Sequence, residues 1–308
     1  MIYALGAFDG FHLGHRQLLK TAAMRAEKIK TAWGVITFDG HPQQLFNKEN
    51  FRLLFTAEER DILTKYMEIP EIVKIPFTHA FAELTPVEFI SMIAAHRIIN
   101  GLVVGENFLF GRGRSGNTGV LAEICSQKNW SLDIVESYKL RGNTVSSTSI
   151  RDCILRGKME QASEMLGYPF IISGKVVTGD SRGHGFGYPT ANIMLKSGKI
   201  YPARGSYAAL VFIAGEWMSA AVNIGYNPTF EGTRAMRCEA HIINYSGNLY
   251  GKNITIFLIK RNREEIKFSG IEQLKAQLDK DMRQTHVVSR SYLAQKLAAL
   301  KKFEPLLL

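Results

Sequence analysis

The chain has 308 residues, 46% hydrophobic and 21% charged, a globular composition long enough for two hydrophobic cores. Its net charge of +10 suits phosphate-bearing partners, yet the basic residues are scattered and no basic block is interleaved with aromatics, which argues against nucleic acid. The opening residues show no basic leader, no cleavage pattern and no apolar run near the roughly 18 residues of a membrane span, so a cytoplasmic protein without a membrane partner is expected.

"YALGAF" reads as a short apolar strand, and "HLGHRQLLKTAAMRAEKIK" follows with Leu18, Leu19, Ala22, Ala23, Ala26 and Ile29 at helical spacing. "AWGVITF" is the next strand. "TAEERDILTKYM" opens on a capping box, Thr56 with Glu59, and continues as a helix. After the strand "EIVKIPF", "TPVEFISMIAAH" repeats the box with Thr85 and Glu88 and adds Pro86 at the first helical position. "INGLVVG", a helix near "VLAEICSQK", the strand "SLDIVES" and a helix "IRDCILRGKMEQASEML" complete a regular alternation, which predicts a parallel, doubly wound α/β sheet.

Beyond Leu166 the pattern changes. "FIISGKVVTGD", "GSYAALVFIAG", "EWMSAAVNIG", "RCEAHIINY" and "NITIFLIKR" are β-type runs divided by Gly, Asn and Pro, which predicts an antiparallel barrel or sandwich. Helical periodicity returns in "GIEQLKAQLDKDMRQ" and "RSYLAQKLAALKKF", two terminal helices expected to pack on the β domain. The expected domains are 1–167 and 168–308, joined by a short hinge near Gly167 to Phe170. Cys125, Cys153 and Cys238 are odd in number and far apart, against a disulfide framework or a zinc site.

Ligand sites in doubly wound sheets lie at the carboxyl ends of the strands, and "GAFDGFHLGH" falls there, after the first strand and at a helix start. Helix N-terminal N–H groups attract anions, glycines let the backbone approach a phosphate, and imidazoles neutralise developing charge. A phosphate-handling site is one reading; histidines that only cap the helix are the other. "VSSTSIR" offers the hydroxyls of Ser146, Ser147 and Thr148 and the guanidinium of Arg151 to a polyphosphate, or serves simply as a helix cap. In "GYPTAN", Thr190 and Asn192 supply oxygens suited to Mg²⁺ between ATP phosphates; the alternative is a proline turn entering the strand "ANIML". Glu239 lies in a strand pattern and reads equally as a solvated residue.

"GAFDGFHLGH" resembles the FDGxHxGH form of the HxGH nucleotidyltransferase signature found in prokaryotic bifunctional riboflavin kinase/FAD synthetases. "VVGENFLFGRGRSGN" resembles that family's flavin- and nucleotide-contacting segment and "VSSTSIR" its ISSTxIR motif. "GYPTANI", "NIGYNPTF", "EAHIINYSGNLYGK" and "REEIKF" fall in the order of its kinase module. The resemblance implies a Rossmann-like FMN adenylyltransferase domain followed by a riboflavin kinase β-barrel with terminal helices, using ATP, Mg²⁺, riboflavin, FMN and FAD. By the same resemblance His12, His15, Arg151 and Glu239 are catalytic, with Glu239 the base for the riboflavin 5′-hydroxyl. Gly6, Phe8, Asp9, Gly10, Gly14, Ser146, Ser147, Thr148, Gly179 and Gly187 are then nucleotide-binding, Asn107, Phe108, Phe110 and Arg112 flavin-binding, and Thr190 and Asn192 the metal ligands.

The chain departs from the family pattern at Gly40, Asn107 and Leu109 in the first half, and at His184, Asn227 and Asn248 in the second. Two arginines are lost at His184 and Asn227, and neither replacement is a bidentate guanidinium. The alternatives kept open are an FAD synthetase whose barrel is a weak or inactive kinase, a flavin- or nucleotide-sensing protein without turnover, and, last, a synthetase-like protein, for which no KMSKS-like segment is present.

Overall fold

The computed structural model describes residues 1–47, 50–178, 188–228 and 234–307. It divides into two compact units, Met1–Leu54 with Met67–Ser147, and Phe55–Tyr66 with Thr148–Leu308.

The first unit runs β1 (Ile2–Leu5), α1 (Leu13–Lys28), β2 (Trp33–Asp39), α2 (Pro42–Phe46), β3 (Ile72–Pro76), α4 (His79–Ala82), α5 (Pro86–Ala94), β4 (Gly101–Gly105), α6 (Thr118–Gln127) and β5 (Ser131–Val135). A small hairpin of β6 (Lys139–Leu140) and β7 (Asn143–Thr144) follows. The five main strands form a parallel sheet in the order β3-β2-β1-β4-β5, the doubly wound sheet that the alternation predicts. The three central strands β2, β1 and β4 are buried on both faces, which explains why they read as continuous apolar runs. Tyr3, Leu5, Ile36, Phe38, Leu102 and Val104 point to one face, where Phe89, Ile90 and Ile93 of α5 and Leu121 and Ile124 of α6 cover them. Leu18, Leu19, Ala22 and Ala26 form the buried stripe of α1, while Ile29, at the helix C-cap, is exposed.

The second unit contains α3 (Ala57–Tyr66), α7 (its first residue Ser147 excepted; Ser147–Leu155), α8 (Met159–Leu166), β8 (Phe170–Val177), β9 (Ala191–Ile193), β10 (Gly205–Ile213), β11 (Glu216–Pro228), β12 (Arg234–Ile242), β13 (Asn253–Glu264) and α9 (Ile271–Lys301). Its strands close into a six-stranded barrel, β10-β11-β12-β9-β8-β13, which decides for the barrel over the sandwich. Two helical expectations are corrected. The single helix over "IRDCILRGKMEQASEML" is broken between α7 and α8, where Gly157 takes φ 71°. The two terminal helices are one, α9, whose 31 residues continue through the stretch read as a break. A buried polar row on α9 explains this: Asp281, Thr285 and Ser289 recur once per turn and face the barrel, interrupting the apolar signal without interrupting the helix.

α3 is anchored in the barrel unit by the same Glu59 that closes its capping box. Glu59 accepts from the Thr56 N–H at 2.8 Å, and its carboxylate also accepts from Ser173 N–H on β8 at 2.8 Å and from the Lys199 ammonium. Glu59 and Lys199 are both buried, and Lys199 lies over the Phe170 ring and donates to the Ile171 carbonyl at 3.0 Å. The pair is thus hydrogen-bonded as well as charge-matched, the condition under which buried charges are tolerated.

Candidate functional site

The loop between β1 and α1 turns sharply, with Phe8 (φ 48°), Gly10 (φ 95°) and Phe11 (φ 38°) all in left-handed backbone. For two phenylalanines this is strained, and burial holds it: Phe8 and Phe11 are 1% and 0% exposed, their rings 5.9 Å apart. Polar anchors complete the loop. Thr37 Oγ1 on β2 donates to the Ala7 carbonyl at 3.1 Å, Ser147 Oγ donates to the Asp9 carbonyl at 2.7 Å, and the Leu54 N–H donates to the buried Asp9 carboxylate at 3.0 Å.

The loop ends on the two histidines. His12 is the N-cap of α1: its Nδ1 accepts from the His15 N–H at 3.3 Å. An accepting Nδ1 places the proton of the neutral ring on Nε2. The capping role and a phosphate role therefore use different nitrogens of one ring. The His12 and His15 rings stack at 3.6 Å and 19°, and Phe8 packs on His15 at 5.1 Å. A Cβ on Gly14 would stand 3.1 Å from the His12 ring, so glycine lets the pair close. Burial, with His12 and His41 adding to it, holds the His15 pKa well below its ordinary value, and its Nδ1 is buried with no hydrogen-bond partner among the described residues. Such an orphaned nitrogen beside a helix N-terminus suits an anionic oxygen.

His41 is the site residue that sequence reasoning missed. It caps α2, accepting from the Gln43 N–H at 3.1 Å, at the carboxyl end of the strand next to β1. Strand adjacency was the available signal. Gly40, just before it, has φ 85°, which a proline, fixed near about −65°, cannot adopt; the departure from the family pattern thus marks a different turn.

The other expected residues of the first half are spread along the chain. Ser146 and Ser147 precede and open α7, Thr148 is exposed, and Arg151 lies one turn along the helix, half-buried. Asn107 Nδ2 donates to Ser137 Oγ at 3.2 Å, and Arg112 is exposed. Phe108 is partly exposed and stacks on Phe110 at 5.3 Å and 18°; the Phe110 ring itself is in the core against Phe89.

On the barrel, strand register gathers the residues. Glu239 on β12 lies opposite Asn223 on β11 and Asn192 on β9, so all three side chains share a face. Cys238 and Ala240 are buried on the other face. The Arg237 guanidinium stands 3.8 Å from the Glu239 carboxylate, both about a third exposed at 32% and 31%. Thr190 borders a cavity of about 440 Å³ whose walls include Val176, Ala240, Tyr245, Leu249 and Tyr250. Asn248 Oδ1 accepts from the Tyr250 N–H at 2.9 Å, an Asx turn that the family's Asp would make equally, so this departure keeps the loop's bond. Gly179, Gly187 and His184 lie outside the described residues, and Asn227 is described only by its backbone pairing with Ala235.

Among the described residues no group of three or more His, Cys, Asp or Glu is placed to hold a metal ion. Thr190 and Asn192 offer neutral, hard oxygens, which fit Mg²⁺ bound mainly through substrate phosphates. No helix among the described residues is long and apolar enough to cross a membrane.

Residues 1–149 match the FAD synthetase family model and residues 166–289 the riboflavin kinase model. A bifunctional riboflavin kinase/FMN adenylyltransferase of Listeria monocytogenes is 33% identical over 288 residues, 92% of this chain and 91% of the relative. Its counterpart in Escherichia coli K12 is 33% identical over 284 residues, covering 91% and 90%. A crystal structure from Streptococcus pneumoniae, described as a macrolide-efflux protein, superposes with a TM-score of 0.84 at 31% identity over 92% of this chain and 93% of that one. Two family models in tandem and relatives matched over nearly their whole length lead to one conclusion: the chain belongs to the bifunctional riboflavin kinase/FMN adenylyltransferase family.

Proposed function

We propose that the chain makes FMN from riboflavin and FAD from FMN, with adenylyl transfer in domain 1–167 and phosphorylation in domain 168–308. The observation that carries the first assignment is the stacked His12–His15 pair at the start of α1, with its orphaned His15 Nδ1. An FMN phosphate oxygen attacks the α-phosphorus of ATP, the bond to the bridging oxygen breaks, and pyrophosphate leaves. The protein supplies alignment and charge stabilisation, for which no protein nucleophile is needed. His12 and His15 meet the developing charge. Gly6, Gly10 and Gly14 let the backbone approach, and Ser146, Ser147, Thr148 and Arg151 hold the polyphosphate. Phe8 and Asp9 serve by shaping the loop. Asn107, Phe108 and Arg112 face the flavin, with Phe110 as the support beneath Phe108.

On the barrel, Glu239 accepts the riboflavin 5′-hydroxyl proton as that oxygen attacks the γ-phosphorus and ADP leaves. Asn192 and Asn223 share its face, and Thr190, two residues before Asn192, borders the neighbouring cavity. Thr190 and Asn192 are the residues that would hold Mg²⁺, which screens the charge of the ATP phosphates when bound. Gly179 and Gly187, outside the described residues, are assigned to nucleotide binding by the family resemblance alone.

Incubating the purified chain with ATP, Mg²⁺ and either riboflavin or FMN, and separating the flavins by chromatography, tests both assignments. FMN from riboflavin and FAD from FMN are the expected products. FAD from FMN without any FMN from riboflavin would leave an FAD synthetase with an idle barrel. Flavin binding without turnover, for oxidised and reduced flavin alike, would leave a sensor.

A further inference from the structure

We infer that Asp279 on α9 and His241 on β12 are positioning residues of the phosphorylation site, acting by fixing the backbone that presents Thr190; this rests on the reading of Thr190 above. Tyr188, Pro189 and Thr190 precede β9 without regular structure, and Pro189 has no N–H with which to tie the segment down. The restraints come from side chains distant in sequence. The Tyr188 hydroxyl donates to the Asp279 carboxylate, which pushes the Tyr188 pKa upward. His241 Nδ1 lies 2.8 Å from the Pro189 carbonyl oxygen. A carbonyl only accepts, so Nδ1 carries the proton and donates it. The Tyr188 and His241 rings meet edge-on at 5.6 Å and 76°, which joins the two restraints into one clamp.

Each half of the clamp is delivered by a fixed register. Ala240 pairs with Ala191, so β12 carries His241 to the segment just before β9. On α9 the buried polar row sets the helix. Asp281 pairs with Arg263 at 2.8 Å and accepts from Gln277, Thr285 Oγ1 accepts from Asn262 at 3.0 Å, and Ser289 Oγ donates to the Ala209 carbonyl at 3.0 Å. Apolar helix faces slide at low cost; this one does not, because a slip leaves a buried carboxylate and two hydroxyls without partners. The row therefore decides where Asp279, two residues before Asp281, falls. Neither Asp279 nor His241 has a part in the chemistry described above, and none of the four kinase-half motifs includes Asp279.

Full-length variants test the clamp. Calorimetric titration with a non-hydrolysable ATP analogue and magnesium chloride reads both nucleotide sites, and initial rates of riboflavin phosphorylation and FMN adenylylation identify the one that changed. Tyr188→Phe and Asp279→Ala are each expected to weaken one site and raise KM for ATP in riboflavin phosphorylation about five-fold, with a smaller change in kcat. The double variant should be no worse than either single one, since both remove the same bond. Asp279→Asn, which keeps an acceptor, should restore most of the loss. His241→Phe, which keeps a ring but no donor, should raise the same KM. A merely structural role would lower the thermal midpoint and leave KM in place, and that result overturns the inference, as do additive effects in the double variant. Thr190→Ala separates the two levels. If it weakens analogue binding and the clamp variants do not, the clamp fails alone; if it changes nothing, the reading of Thr190 fails and takes the clamp with it.

Discussion

At the carboxyl end of β1 the side chains proposed for adenylyl transfer arrive on one continuous loop, whereas on the barrel Asn192, Asn223 and Glu239 arrive on three strands that only pairing makes neighbours. The loop is held by buried phenylalanine rings and by bonds from Thr37, Ser147 and Leu54, and its imidazoles are stacked on each other. The barrel face is open, with Glu239 about a third exposed beside Arg237. One site is rigid through local packing; the other depends on register, where a slip of one residue would send Glu239 to the opposite face. Charge stabilisation rewards the first arrangement, because dipoles fixed in advance need no reorganisation. Proton acceptance, the role proposed for Glu239, asks instead for a carboxylate that an incoming hydroxyl can reach.

The comparison breaks most sharply at Glu239. Glu239→Gln keeps the shape and removes the basic oxygen, so FMN formation should fall roughly 10²- to 10⁴-fold while FAD formation from FMN continues. Loss of FAD formation with FMN formation intact would reverse the assignment of chemistry to the two domains. The next largest effect is expected at the loop, where His15→Ala should lower FAD synthesis by about 10²- to 10³-fold and spare riboflavin phosphorylation. Equal loss of both activities with a matching drop in thermal midpoint would make His15 structural.

Gly14→Ala sharpens the claim of rigidity. The new methyl presses on the His12 ring, which an ideal Cβ meets at 3.1 Å, while alanine favours the helix by up to about 1 kcal/mol. FAD synthesis should fall about ten-fold with stability held or raised, since small misplacements of reacting groups are costly. An unchanged rate would show that the ring pair has slack.

The smallest effect concerns pH. The folded protein keeps His15 neutral well below its ordinary pKa of 6.5, whereas the unfolded chain takes up a proton there. Stability contributed by the neutral ring is therefore present above about pH 6.5 and is lost as pH falls below it. A polyphosphate beside the ring favours the charged form, so ATP binding at this site should take up protons, up to about one, and strengthen as pH falls. Calorimetry in two buffers of different ionisation enthalpy measures the uptake; none at any pH would remove His15 from the nucleotide's surroundings.

The same contrast explains how much was legible in the sequence. The loop is a contiguous string, so its turn, glycines and histidines could be read together, and both capping boxes formed as written. His41 escaped because it becomes a neighbour of His15 only through the order of strands in the sheet. On the barrel, nothing in the spacing of Asn192, Asn223 and Glu239 shows that they face one another. Asp281, Thr285 and Ser289 misled the periodicity because a buried polar row has the signature of a solvated face. The packing of α3 was equally silent, since its apolar stripe fits one sheet as well as another.

The Glu59–Lys199 pair has a consequence for synthesis. The ribosome makes the acid 140 residues before the base, a delay of roughly 7 to 28 s at about 5–20 residues per second. A helix of ten residues is marginal on its own in water. For the first 114 residues of that interval residues 55–66 have neither the Ser173 N–H nor the Lys199 ammonium to dock on, and after that only the former. Severing the chain near residue 167 would make that wait permanent. A fragment beginning there would carry Lys199 into its interior without its carboxylate, at a cost of about 3–5 kcal/mol. The barrel's coding information is thus discontinuous: a gene for it alone would have to take along a short piece from deep inside its neighbour.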